Sequence, residues 1–255
     1  MSARAAYTLQ ELVEVGLTSR SIRDAVASGI PATEILREFV AQLEEGYDDD
    51  DYTDFAIVRQ LLRVGARADA NIMHAAVDRS RDDLLALLIE EGGGDVDARN
   101  AAGETLLMRA AWMQATLLTR ILLAHGVDVN MTDSKGQTAL HYAAQASIDD
   151  FFALLEEPTV DINVKTNEGI TPLMEAAREG IHKEAIWLLL LNPSLDLDAV
   201  DNEGNSTLDY IDEEAWRLGK ELVEYAHKMA GERRRWDSKG AWITGIMNAA
   251  QERPY

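Results

Sequence analysis

Four glycines, Gly103, Gly136, Gly169 and Gly204, stand 33, 33 and 35 residues apart. Each sits in a turn-rich string that leads into an apolar one: "NAAGETLLMRAA" from Asn100, "DSKGQTALHYAA" from Asp133, "NEGITPLMEAA" from Asn167 and "NEGN" at Asn202. Self-similarity at such a period restricts the chain to a repeat architecture. Each unit is too small to bury an apolar face alone and must stack on its neighbours.

One unit shows what the repeat contains. After Asn100, "LLMRAAWM" and "LLTRILLAHG" predict two short helices, and Gln114 to Thr116 leave room only for a tight turn. Leu107, Ala110 and Ala111 share one face of the first helix, and Leu118, Ile121, Leu122 and Leu123 form a thicker stripe on the second. The adjacent alanines allow close approach to neighbouring helices. Thr105 is placed to cap the first helix and Gly126 to end the second. "VDVNMTDSKG" then alternates briefly and turns, as a hairpin does.

"GQTALHYAA" from Gly136, "GITPLMEAA" from Gly169 and "ILLAHGVDVN" ending at Asn130 resemble the ankyrin-repeat signature. That resemblance implies an all-α-dominated repeat solenoid of stacked helix pairs with projecting hairpins, plus non-repeat terminal helices. It divides the chain into an N-terminal helical cap (1–54), a repeat array (55–230) and a C-terminal cap or tail (231–255). Both ends of the array depart from the pattern. "GARADANIMH" is about six residues shorter than the later hairpins, and the last unit has Ile211 and Asp212 in place of the alanine pair. A terminal unit has one face open to water, so polar replacements are expected there. "PATEILREFVAQLEEG" predicts a further helix starting near Pro31.

Composition narrows the chemistry. No cysteine is present, which excludes disulfides, cysteine nucleophiles and thiolate zinc sites. The longest fully apolar run, Ala185 to Leu191, is far too short to cross a bilayer. With no signal-peptide pattern either, the expectation is an intracellular protein, cytoplasmic or nuclear. Asp plus Glu number 45 against 24 Lys plus Arg, a formal charge of −21, with +2 on residues 231–255 and −23 on the rest. Such a surface repels nucleic acid and anionic membranes and favours basic partners or cationic ligands. No HExxH, glycine-rich phosphate loop or Walker-type lysine occurs. "YDDDDYTD" at Tyr47 to Asp54 lacks the ligand spacing of a calcium loop. No metal and no cofactor is expected. By the resemblance, His141 and His74 fall where a ring ties neighbouring turns together.

The resemblance also turns the first helices toward a concave binding surface. There the chain offers Glu104, Trp112, Met113, Tyr142, Glu175, Arg178, Glu179, Glu213 and Glu214. Trp112 and Gln145 are repeat equivalents, so Trp112 is expected near the helix of Tyr142. Trp112 either packs against the terminal segments or anchors a partner, with a small-molecule pocket the lesser alternative. The leading function is a protein-binding scaffold, adaptor or inhibitor with an acidic groove. An enzyme using paired carboxylates on a small molecule is the alternative, and a pathogen or symbiont effector binding a host protein is the same chemistry in another setting.

Overall fold

The computed structural model describes residues 16–43, 51–179, 192 and 194–210. The regular structure of these residues is helical: α1 (Ser19–Ala27), α2 (Ala32–Gln42), α3 (Asp51–Arg63), α4 (Ala70–Asp78), α5 (Asp82–Glu90), α6 (Leu106–Trp112), α7 (Thr116–Ala124), α8 (Ala139–Ala146), α9 (Ile148–Leu155), α10 (Pro172–Glu179) and a short 3-10 turn at Thr207–Tyr210. Where the repeat predicts hairpins, isolated antiparallel bridges join Arg99 with Thr105 and Val200 with Ser206. The chain divides into two compact units, Met1–Ala110 with Leu117–Val127, and Ala111–Thr116 with Asp128–Tyr255.

In the first unit α2 packs on α3 and α4, α4 on α5, and α1 on α3. The apolar spacing explains this, since Ile35, Leu36, Phe39 and Val40 fall on one face of α2 and are all buried. Polar links hold the ends. The Arg79 side chain, after α4, donates to the carbonyls of Ala41 and Leu43 at the C-terminus of α2, where backbone acceptors are left over. Asp69 caps α4 through the Ile72 amide at 3.0 Å and pairs with Arg37. Thus α2 behaves as the first helix of a pair with α3. The expected boundary after residue 54 falls inside α3.

The second unit shows why glycine recurs. A side-chain oxygen opens each hairpin turn and accepts two backbone amides: Asp133 from Lys135 and Gln137, Thr166 from Glu168 and Ile170, Asp201 from Glu203 and Asn205. Asn100 makes the same turn in the first unit, with Ala102 and Glu104. Gly136 and Gly169 then have φ of +80° and +86°, a region costly for any residue with a Cβ. The next hairpin also presses against them. A Cβ at Gly136 would lie 2.8 Å from the Asn167 amide nitrogen, and one at Gly169 2.8 Å from that of Asn202. Across this contact Asn167 donates to the carbonyls of Lys135 and Ser134, and Asn202 to those of Glu168 and Asn167. A second ladder runs through Asn130, which donates to Thr159 O and accepts from Asp161 N. Asn163 repeats it with Ser194 and Asp196.

The helices of this unit close around alanine pairs. Ala143, Ala144, Ala176 and Ala177 are all buried, and α8 packs on both α9 and α10. His141, fully buried, joins two successive repeats within this unit. Its Nδ1 accepts from the Thr138 amide at 3.1 Å, so Nε2 carries the proton and donates to Ile170 O at 3.1 Å. Burial holds its pKa down at about 4. His74 does the equivalent in the first unit, donating to Ala98 O, and burial lowers its pKa as well.

Two stability measurements check this packing. His141 stays neutral in the fold but takes up a proton near pH 6.5 when unfolded. Its contribution, roughly 3 kcal/mol for the shift, is therefore complete above pH 6.5 and is lost as pH falls toward 4. Denaturant titrations of wild type and His141→Gln should show a stability gap that is wide at pH 7 and narrows on acidification; a pH-independent gap would contradict the neutral, buried ring. Thr119 of α7 is fully buried and its hydroxyl has no hydrogen-bond partner among the described residues. Thr119→Val keeps the shape, removes that desolvation cost, and should raise stability by about 1 kcal/mol.

A candidate protein-binding surface

Trp112 ends α6, and the residue is 48% exposed. An exposed indole is usually free to reorient, but this one is braced. Its ring meets Tyr142 edge-to-face, with centroids 6.2 Å apart and planes at 81°, a geometry that the ring quadrupoles favour. The nearness implied by the repeat register is therefore present. Tyr142 is itself fixed: it is 8% exposed, and its hydroxyl donates to Asp133 Oδ2 at 2.9 Å. Asp133 is the residue whose other oxygen closes the hairpin turn. A chain of contacts thus runs from hairpin backbone to carboxylate to phenol to indole. Tyr142 is one of the residues expected on the concave binding surface, but it is buried and its hydroxyl is spent on this support. Met113, directly after Trp112, is half-buried.

Of the charged candidates, Glu104, Glu175 and Arg178 lie among the described side chains. Glu175, on α10, is 1% exposed. It accepts from Gln145 Nε2 at 2.8 Å and pairs with Arg178. Burying a carboxylate demands such compensation, and a compensated, buried carboxylate cannot attract a partner through solvent. Arg178 keeps 44% of its side chain exposed. Glu104, in the first unit, is half-buried and accepts from Asn100 Nδ2 at 2.7 Å. The Glu179 side chain, Glu213 and Glu214 lie outside the described residues.

The support beneath Trp112 recurs where the last hairpin meets the 3-10 turn. Tyr210 donates to Asp201, and that bond holds the carboxylate at about 2 and the phenol at about 12. Asp209 is also lowered, by the Ser206 hydroxyl and amide. These carboxylates are ionised acceptors rather than proton donors. The signal was present in the chain: an Asp nine residues before a Tyr, in "DSKGQTALHY" and again in "DNEGNSTLDY". Its meaning depends on the hairpin folding back against its own first helix. Among the described residues there is no group of three or more His, Asp or Glu that could hold a metal, and no helix long and apolar enough to cross a membrane.

The family model described as "Ankyrin repeats (3 copies)" matches residues 51–133 and 72–166. The chain carries an ankyrin-repeat domain across that span, and the structure continues the same turn chemistry to Asn205. Ankyrin repeats generally mediate protein–protein interactions. No curated protein matches the chain.

If Tyr142 is the brace, Tyr142→Phe should leave the rings in contact but remove a hydrogen bond to a carboxylate. The expected cost is about 1.5–3 kcal/mol, read as a lower denaturation midpoint. An unchanged midpoint would detach Tyr142 from Asp133 in solution.

Proposed function

We propose that this chain is an intracellular protein-binding scaffold, an adaptor or inhibitor, whose first helices present Trp112 as the anchor for a protein partner. The observation that carries this is the exposed indole held on a buried, hydrogen-bonded tyrosine. A stiff aromatic surface buries area on binding while losing little side-chain entropy, which is how hot-spot residues act. Met113 widens the apolar patch, and Arg178 adds donors from the repeat-equivalent position on α10. The partner carries a basic surface. Attraction to it comes from the chain's net charge of −21 rather than from Glu175, which is buried and paired. Stacked helix pairs with projecting hairpins suit this role, because they set several first helices side by side at a fixed spacing.

Anchor and attraction predict separate kinetics. Partners are first captured from the source organism's lysate at low and high salt, then measured one by one. Trp112→Ala should weaken binding by about 2 kcal/mol or more, mainly through faster dissociation. Raising the salt should slow association for wild type and variant alike. A Trp112→Ala protein that melts well below wild type yet binds equally well would place Trp112 in the core and overturn the anchor.

A further inference from the structure

A cleft of about 660 Å³ opens between α3 and α5 within the first unit, with Ser19 of α1 on its margin. Its lining includes Ala56 of α3, which is exposed, and Leu87 of α5, which is buried. Its two sides carry opposite charge. Arg59 and Arg63 lie four residues apart on α3, whereas Asp83 and Glu90 lie seven apart on α5, so each pair shares one helical face. Arg63, Asp83 and Glu90 are exposed. Arg59 reaches across to Glu91 at 3.0 Å and ties the helices together. Neither rim takes part in the Trp112 surface, which belongs to the second unit.

We infer that this cleft docks a helix of a protein partner. The helix sets an apolar edge against Ala56 and Leu87, carboxylates beside α3, and Lys or Arg beside α5. The shape argument is that α3 and α5 both line this open cleft without being packed ridge-into-groove on each other, which leaves room for the side-chain ridge of a third helix. Small side chains such as Ala56 let that helix come close. The charge argument fixes the occupant's chemistry. Rim pairs add little affinity each, but they select partners and orientation as flanking charges do along a helical seam. A second copy of this chain is a poor occupant, because two chains of charge −21 repel. An all-basic helix is drawn to the chain as a whole but leaves Arg63 facing a like charge.

The test uses three synthetic helical peptides with the same alanine–leucine edge. One has a glutamate flank and a lysine flank, one has lysine on both, and one has glutamate on both. Fluorescence anisotropy with the full chain at physiological salt should rank the mixed peptide tightest, about fivefold ahead of the lysine peptide. Bulk charge alone would give the opposite order. Arg63→Glu should move the preference to the lysine peptide, and Asp83→Lys should move it toward the glutamate peptide. Both residues are exposed, and Arg59–Glu91 is untouched. Ala56→Trp should abolish binding by filling the cleft, while Trp112→Ala leaves it unchanged, which separates this cleft from the other surface. The inference is overturned if the lysine peptide binds best to all variants, if the rim substitutions leave the ranking unmoved, or if no peptide binds at millimolar concentration.

Discussion

The second unit depends on one close approach: the backbone of each hairpin lies directly against the glycine of the hairpin before it. At Gly136 and Gly169 there is no space for a Cβ and the backbone is left-handed, so two independent constraints select the same residue. Asn167 and Asn202 use this proximity, each giving a backbone and a side-chain hydrogen bond to the preceding hairpin. A shift in register would bring Cβ atoms against backbone and strand those donors. The ladder therefore specifies alignment between repeats, while the helices supply the apolar burial.

The buried polar groups serve a related purpose. His141, Asp133 and Glu175 are all buried, and each has partners from more than one segment of chain. Such groups add little net stability when satisfied, but removing one partner leaves a desolvated group behind. Their presence penalises misaligned stacking more than it rewards the right one. In a repeat protein this matters, because apolar faces that resemble one another could otherwise pack out of register.

Much of this was legible in the chain because it is encoded locally. The glycine period, the alanine pairs and the cap residues each act within a few residues, and Trp112 could be placed near Tyr142 by register alone. What was not legible depends on the third dimension. The helix at Ala32–Gln42 has Pro31 at the cap position where Thr138 precedes α8, so its partnership with α3 and α4 emerges only from contacts such as Arg79 on the α2 carbonyls. Glu175 and Tyr142 were assigned surface roles from residue type and helical position. Their burial follows from neighbours 30 and 9 residues away, Gln145 and Asp133, which pattern reading does not weigh.

Position equivalence also shows where a repeat scaffold is free to vary. Arg109, Tyr142, Glu175 and Tyr210 occupy one place in successive repeats, and each has found a different polar partner: Asp78, Asp133, Gln145 with Arg178, and Asp201. The backbone turns beneath them stay alike. One repeat can therefore place a carboxylate and the next a phenol at the same site without disturbing the ladder. Trp112, three residues farther along, has Gln145 and Arg178 as equivalents. Binding chemistry can change at such a position while the hairpin ladder keeps the spacing, because the two sets of contacts share no atoms except through Asp133 and Tyr142. That single link transmits rigidity from the hairpin to the indole.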